Sequence, residues 1–160
     1  MENLETKQDR YLCFSLGNEE YAIPLLDVKE VIAMPDITPV PCTPSHFLGI
    51  MNLRGQVISV LDLRSKLSIK PNPNAETAVI ICDLQPNSIG VVVDSVNAVL
   101  NPSPDQISAK PEIQSKAGTD YITGVYRHQE KLVLFLEIAK SLNIGDQQAI
   151  ARATATKKAA

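Results

Sequence analysis

The chain has 160 residues, 44% of them apolar and only 4% aromatic, with no tryptophan and a formal charge of -3 at pH 7. Such a length and apolar share support one domain or two small lobes around a real core, while the acidic balance provides no basic footprint for nucleic acid. No apolar run approaches the roughly 20 residues needed to cross a bilayer, and the polar opening MENLETKQDR does not read as a secretory signal, so a cytoplasmic protein without membrane insertion is expected.

With few aromatics, the core must come from Val, Ile and Leu, whose branched members favour strands. Residues 1–10 read as a flexible tail. In YLCFSL, Leu12, Phe14 and Leu16 alternate as on a strand, Gly17-Asn18 marks a hairpin turn, and a second strand follows around Tyr21 to Pro24. LLDVKEVI then sets Leu25, Val28, Val31 and Ile32 at helical spacing, which leaves helix and strand both open. Pro35, Pro39, Pro41 and Pro44 forbid a long helix after Met34 and predict an extended edge or surface loop available to a partner.

Ser45 can cap a short turn carrying Phe47 and Leu48. Gly49 to Leu53 reads as a strand, Arg54-Gly55 as its turn and Gln56 to Leu63 as the return strand, before one or two helical turns to Ile69 and a PNPN linker. Beyond it, AVIICDL, a turn at Gln85 to Ser88, and IGVVVDSVNAVL form a nearly continuous apolar pair that must be covered on both faces. Asn101 to Thr119, rich in Pro, Ser and Lys, is the expected mobile loop. YITGVYR and KLVLFLEI close the second lobe, and residues 146–160 read as a second flexible tail, Ala-rich with helical propensity but almost no apolar stripe, so disordered or a loose helix.

The pattern is duplicated. Gly49 to Leu67 aligns without a gap on Gly124 to Leu142, setting Leu61 against Leu136 and Asp62 against Glu137. Leu12 to Ile32 aligns likewise on Ile80 to Leu100, setting Val31 against Val99. Only the first copy carries the LRG signature. The expected fold is all-β: one region over 11–145, divided into barrel-like lobes at about 11–70 and 75–145 with strand exchange between them left open.

Catalytic patterns are missing: there is no G-x-S-x-G elbow, phosphate-binding loop, dinucleotide fingerprint or H-E-x-x-H pair. Ser59 and Ser95 lie in apolar strands away from His46 and His128, so both read as structural hydroxyls. Asp62 and Glu137 each precede a short helical segment and read as helix caps. Cys13, Cys42 and Cys82 are too scattered for a zinc site, and no metal or cofactor is implied. Arg54 stands apart, because a guanidinium at a turn between apolar strands either is simply solvated, as most surface arginines are, or serves bidentate recognition of a partner's carboxylate or carbonyl groups.

The duplication, the N-L-R-G turn at 52–55, the G-N-E-E-Y-A-I-P hairpin, V-K-E-V-I, D-L-R and V-V-V-D-S-V-N-A-V-L together resemble the CheW-like chemotaxis coupling proteins, over about Tyr11 to Asn143. The resemblance implies two five-stranded SH3-like β-barrel subdomains with a few short helices. It also implies a non-catalytic scaffold that couples the cytoplasmic tips of transmembrane chemoreceptors to the regulatory domain of the histidine kinase CheA, at membrane-bound receptor arrays. Arg54 and Gly55 match the family's receptor-contacting turn, and Val28, Glu30 and Val99 match positions lining a groove between the barrels. The kinase surface would use Ile37 and Val40 in the edge from Met34 to Val40. A related chemosensory pathway, such as pilus motility, would use the same scaffold. A small barrel binding a ligand or nucleic acid is the rival from another class, and it lacks exposed stacking aromatics and basic charge.

Overall fold

A computed structural model describes residues 10–72, 76–84, 87–108, 121–142 and 150. Its strands, in chain order, are β1 (Tyr11–Leu16), β2 (Glu19–Pro24), β3 (Val28–Ala33), β4 (Phe47–Leu53), β5 (Gln56–Asp62), β6 (Ala78–Asp83), β7 (Ser88–Val93), β8 (Ser95–Leu100), β9 (Ile107–Ser108), β10 (Ile122–His128) and β11 (Lys131–Leu136). Two four-residue helices, α1 (Leu63–Lys66) and α2 (Ile138–Ser141), follow β5 and β11. The all-β expectation holds.

The strands form two sheets that do not follow the halves 11–70 and 75–145. One sheet has five strands in the order β3-β6-β7-β5-β4, and the other has six, β8-β1-β2-β11-β10-β9. The five-stranded sheet is therefore continuous in sequence, whereas the six-stranded one joins the first hairpin to the last four strands. The duplication explains the arrangement. Under the two alignments β1, β2 and β3 correspond to β6, β7 and β8, while β4, β5 and α1 correspond to β10, β11 and α2. Each sheet takes the later strands of one copy and the first hairpin of the other. The pairing is the same in both: β5 runs parallel to β7, and β11 runs parallel to β2.

Burial follows from this exchange. The four exchanged strands lie inside their sheets, and their central residues are buried on both faces, as their hydrophobic runs require. Leu12, Phe14 and Leu16 of β1 meet Ile80 and Cys82 of β6 and Ile89 and Val91 of β7 in a central core. The opposite faces fill the two sheet interiors, Val79, Ile81 and Val92 in one and Cys13, Ala22 and Val133 in the other. Asp94 sits where the chain crosses from β7 to β8 and is almost fully buried. It accepts N–H bonds from Gly17 and Asn72 and pairs with Arg64 at 2.6 Å, tying the first hairpin, the linker and α1 to one carboxylate.

The five-stranded sheet closes on itself through the segment after β3. Thr38 and Ile50 exchange both backbone hydrogen bonds, at 2.8 and 2.9 Å, so this stretch is not a free edge. Closure needs Gly49, whose φ is +146° and whose missing Cβ would lie 2.1 Å from the Thr38 carbonyl oxygen. In the other sheet β9 pairs with β10 beside Gly124 in the same role.

Four local expectations change. LLDVKEVI is a 3-10 turn over Leu25–Asp27 followed by β3, so the helical spacing came from joining one turn to one strand. Within VVVDSVNAVL, β7 is covered on both faces, but β8 is an edge strand with Asn97, Ala98 and Val99 exposed. The stretch expected as a mobile loop contains β9, and its residues 109–119 lie outside the described residues. The tails, 1–9 and most of 146–160, also lie outside them; Ile150 is helical, one of the two states expected there, but it is buried in the central core.

Candidate functional site

The N-L-R-G motif forms the two-residue turn of the β4–β5 hairpin. Arg54 and Gly55 have φ of 50° and 87°, the left-handed pair that a tight hairpin of this kind needs. Asn52 fixes the turn, because its Oδ1 accepts the Gly55 N–H at 2.8 Å. Asn52 was not singled out from the sequence, although an Asn three residues before a Gly is an Asx-turn signal.

The turn holds Arg54 beside β3. Its Nη1 donates to Glu30 Oε2 at 2.9 Å, with the arginine side chain 74% exposed and the glutamate 27%. An ion pair this open stabilises the fold by at most about 1 kcal/mol, so the pair fixes how two charged side chains are presented and contributes little to folding. Beneath them lies a cleft of about 320 Å³ lined by Lys29, Glu30, Leu53, Arg54, Gln56, Ile58 and Ile81. Ile58 and Ile81 belong to the interior of the five-stranded sheet, so the cleft is the mouth of that barrel.

The seven residues singled out from the sequence separate into groups. Glu30, Arg54 and Gly55 come together at this mouth. Val28, two residues before Glu30 across an irregularity in the β3–β6 register, is half-buried against the central core. Val99 is on β8 of the other sheet and 51% exposed; its repeat mate Val31, on β3, is 41% exposed. Ile37 and Val40 are half-buried, the first against the interior of the five-stranded sheet and the second against the central core. Met34, 44% exposed, is the large apolar side chain that this segment presents.

The groups considered for chemistry have structural surroundings. Asp62 caps α1, accepting from the N–H groups of Arg64 and Ser65 at 3.0 and 3.4 Å. Glu137 makes no side-chain cap and pairs instead with Lys140 at 3.3 Å, contrary to the expectation for both carboxylates. Ser95 donates to Asn97 Oδ1 at 3.0 Å. Among the described residues the Ser59 hydroxyl is buried without a hydrogen-bond partner, so it is not the satisfied hydroxyl expected. Burial, reinforced by the Glu20 charge, pushes the Cys13 thiol up to about 11, and burial with the Asp27 charge pushes Cys82 up to about 12, so both stay protonated. Among the described residues, no group of three or more His, Cys, Asp or Glu is placed to hold a metal ion, and no helix is long and apolar enough to cross a membrane.

Comparison with known proteins agrees with this architecture. The chain is 34% identical over 140 residues to the chemotaxis protein CheW of Klebsiella aerogenes, covering 87% of this chain and 84% of that protein. It is 30% identical over 149 residues to protein FrzA of Myxococcus xanthus, covering 91% and 92%. The crystal structure of the scaffolding protein TtCheW from Thermoanaerobacter tengcongensis superposes with a TM-score of 0.77 at 26% identity, over 87% of this chain and 95% of that one. Residues 10–145 match the family model of the CheW-like domain, and with it the turn, the exchanged sheets and these relatives place the chain in that family.

Proposed function

We propose that this protein is a non-catalytic scaffold of chemotaxis signalling, joining the cytoplasmic tip of a chemoreceptor to the regulatory domain of the histidine kinase CheA at membrane-bound arrays. The observation that carries the reading is the outward Arg54, held by a purpose-built turn beside Glu30 in a chain that matches the CheW-like domain from 10 to 145. A helical hairpin tip brings apolar side chains flanked by polar ones. Exposed Val31 and Val99 offer apolar area, and the Glu30–Arg54 pair offers register.

Arg54→Ala tests the receptor surface: binding of the receptor tip should be lost while thermal stability stays within about 0.5 kcal/mol of the parent. Unchanged binding would make Arg54 idle, and a collapsed melt would make it structural. The kinase surface is assigned to the segment from Met34 to Val40, with Met34 as the contact and Ile37 and Val40 supporting it from beneath. Met34→Asp should weaken kinase binding and spare receptor binding. Aspartate at Ile37 or Val40 would instead put a charge against a core and confound binding with folding.

The likeness to FrzA, a relative not named as a chemotaxis protein, favours a second reading in which the same scaffold serves a related chemosensory pathway such as pilus motility. Binding to the receptors and kinases of each pathway, measured side by side, separates the two.

A further inference from the structure

Two arginines of this chain carry the same arrangement to different degrees. Arg64 holds two carboxylates at once. Its Nε and Nη2, which share one edge of the guanidinium, take the two oxygens of Asp62 at 3.0 and 3.2 Å, and its Nη1 takes Asp94 at 2.6 Å. Arg54 holds one. Its Nη1 takes Glu30 at 2.9 Å, and among the described residues nothing accepts from its Nε–Nη2 edge, the fork that fits a carboxylate. Most of this side chain, 74%, is exposed.

Lys29 adds a second cation. β3 slips against β6 between Val28 and Glu30, which leaves Lys29 as the extra residue of a bulge, exposed and lining the cleft together with Arg54. The repeat makes the same bulge at Asn97, where β8 slips against β1. There the side chain is used up within the fold: Asn97 donates to Ser15 Oγ and Glu20 Oε1 at 2.8 and 3.3 Å and accepts from Ser95 at 3.0 Å. Among the described residues Lys29 has no such partner, and the oxygen of Glu30 that Arg54 leaves is sealed from solvent. The mouth thus carries two cations against one carboxylate, over walls of Leu53, Ile58 and Ile81.

We propose that the mouth of the five-stranded barrel is a seat for one carboxylate of the docking partner, an Asp or Glu side chain that takes the Nε–Nη2 edge of Arg54 and the Lys29 ammonium. Arg54 then holds two carboxylates as Arg64 does, and Lys29 balances the second. A carboxamide or hydroxyl would leave Lys29 without a counter-charge, and an ammonium or guanidinium would meet two like charges. The identity of the partner as a receptor tip rests on the function proposed above; the chemistry of the seat does not.

Butyrate, butyramide and butylammonium test the seat on the whole chain, each titrated at constant ionic strength while the Arg54 Nε–H and Lys29 backbone amide resonances are followed. Butyrate should shift both saturably, with at least about fivefold higher affinity than the other two. Lys29→Gln, a change at an exposed side chain, should reduce that affinity about fivefold while the thermal melt stays in place. No saturable shift with butyrate, an equal response to either of the other compounds, or an unchanged affinity in Lys29→Gln overturns the seat. A second arm uses a chemoreceptor tip hairpin in which each Asp is changed to Asn and each Glu to Gln in turn. One of these changes should weaken binding about tenfold in the parent chain and about threefold or less in Lys29→Gln. A hairpin that binds the parent chain and loses nothing at any carboxylate overturns the seat. One that fails to bind refutes the receptor reading alone, and the butyrate titration then decides the seat by itself.

Discussion

The two hairpins β4–β5 and β10–β11 occupy equivalent places in the two sheets and differ where recognition is at stake. Both turn on two residues with positive φ, Arg54 and Gly55 in the first and Gln129 and Glu130 in the second. The first has the preferred glycine at one of its two positions, with Asn52 bonded across the turn. The second forces two residues with side chains into the same conformation. Geometry is thus conserved between the copies without the residues that make it easy, and the copy with the well-made turn is the one that presents an arginine. The lesson is that the fold uses both hairpins, while only the first presents an arginine paired with Glu30 of β3.

The comparison breaks first at the glycines beside the closing segments. Gly49→Ala combines a φ of +146° with a Cβ 2.1 Å from backbone at Thr38, and should cost about 3 to 5 kcal/mol or prevent folding. Gly124→Ala meets Ile107 Cγ2 at 3.0 Å and the Ser108 carbonyl oxygen at 3.2 Å, contacts that a small shift relieves. It should cost about 1 to 2 kcal/mol. Denaturant melts of both variants decide, and equal losses would mean that the two closures are equally rigid.

Leu61→Ala and Leu136→Ala probe the opposite expectation, since these mates lie at the same depth in the central core, 2% and 1% exposed. Each should lose about 2 to 5 kcal/mol, and the two losses should agree within about 1 kcal/mol. A large disagreement would show that one sheet can collapse around its cavity and the other cannot.

The helix starts should separate again. Asp62→Ala removes a cap and a partner of the half-buried Arg64, for a loss of about 1 to 2 kcal/mol. Glu137→Ala removes only an exposed pair with Lys140 and should stay within about 0.5 kcal/mol of the parent. The smallest effects belong to the turns themselves. Glu130→Gly should stabilise by about 0.5 to 1 kcal/mol, and Gly55→Ala should destabilise by about 1 kcal/mol through backbone strain alone, because no atom lies within 4 Å of the added methyl. Thermal melts at one pH resolve both signs.

Much of this was legible in the sequence because hydrophobic pattern reports burial. The doubly buried strands read as unbroken apolar runs, and the two gapless alignments located the equivalent strands and helices correctly. The exchange between sheets was not legible. An apolar run states that a strand is covered and carries no information about which of two equivalent sheets covers it. Glu30 and Arg54 could each be named by resemblance, but their contact joins residues 24 positions apart through the packing of β3 beside the β4–β5 hairpin, which no local pattern records. Ile37 and Val40 looked fully available because prolines surround them, whereas both are half-buried, the first against the interior of the five-stranded sheet and the second against the central core. Ile150 was missed because one apolar residue in a polar tail makes no periodic signal.

The six-stranded sheet is split in sequence, and this sets an order on the chain as it is made. The five-stranded sheet becomes complete once β7 has left the ribosome, since all of its strands are contiguous. The first hairpin, β1–β2, emerges before any of them, yet its sheet partners β8 and β11 are translated only afterwards. During that interval its face toward the central core can already be covered by β6 and β7, while the face bearing Cys13 and Ala22 stays open until the last hairpin arrives. The barrel carrying the Arg54 turn is therefore the first to have all of its strands available for pairing.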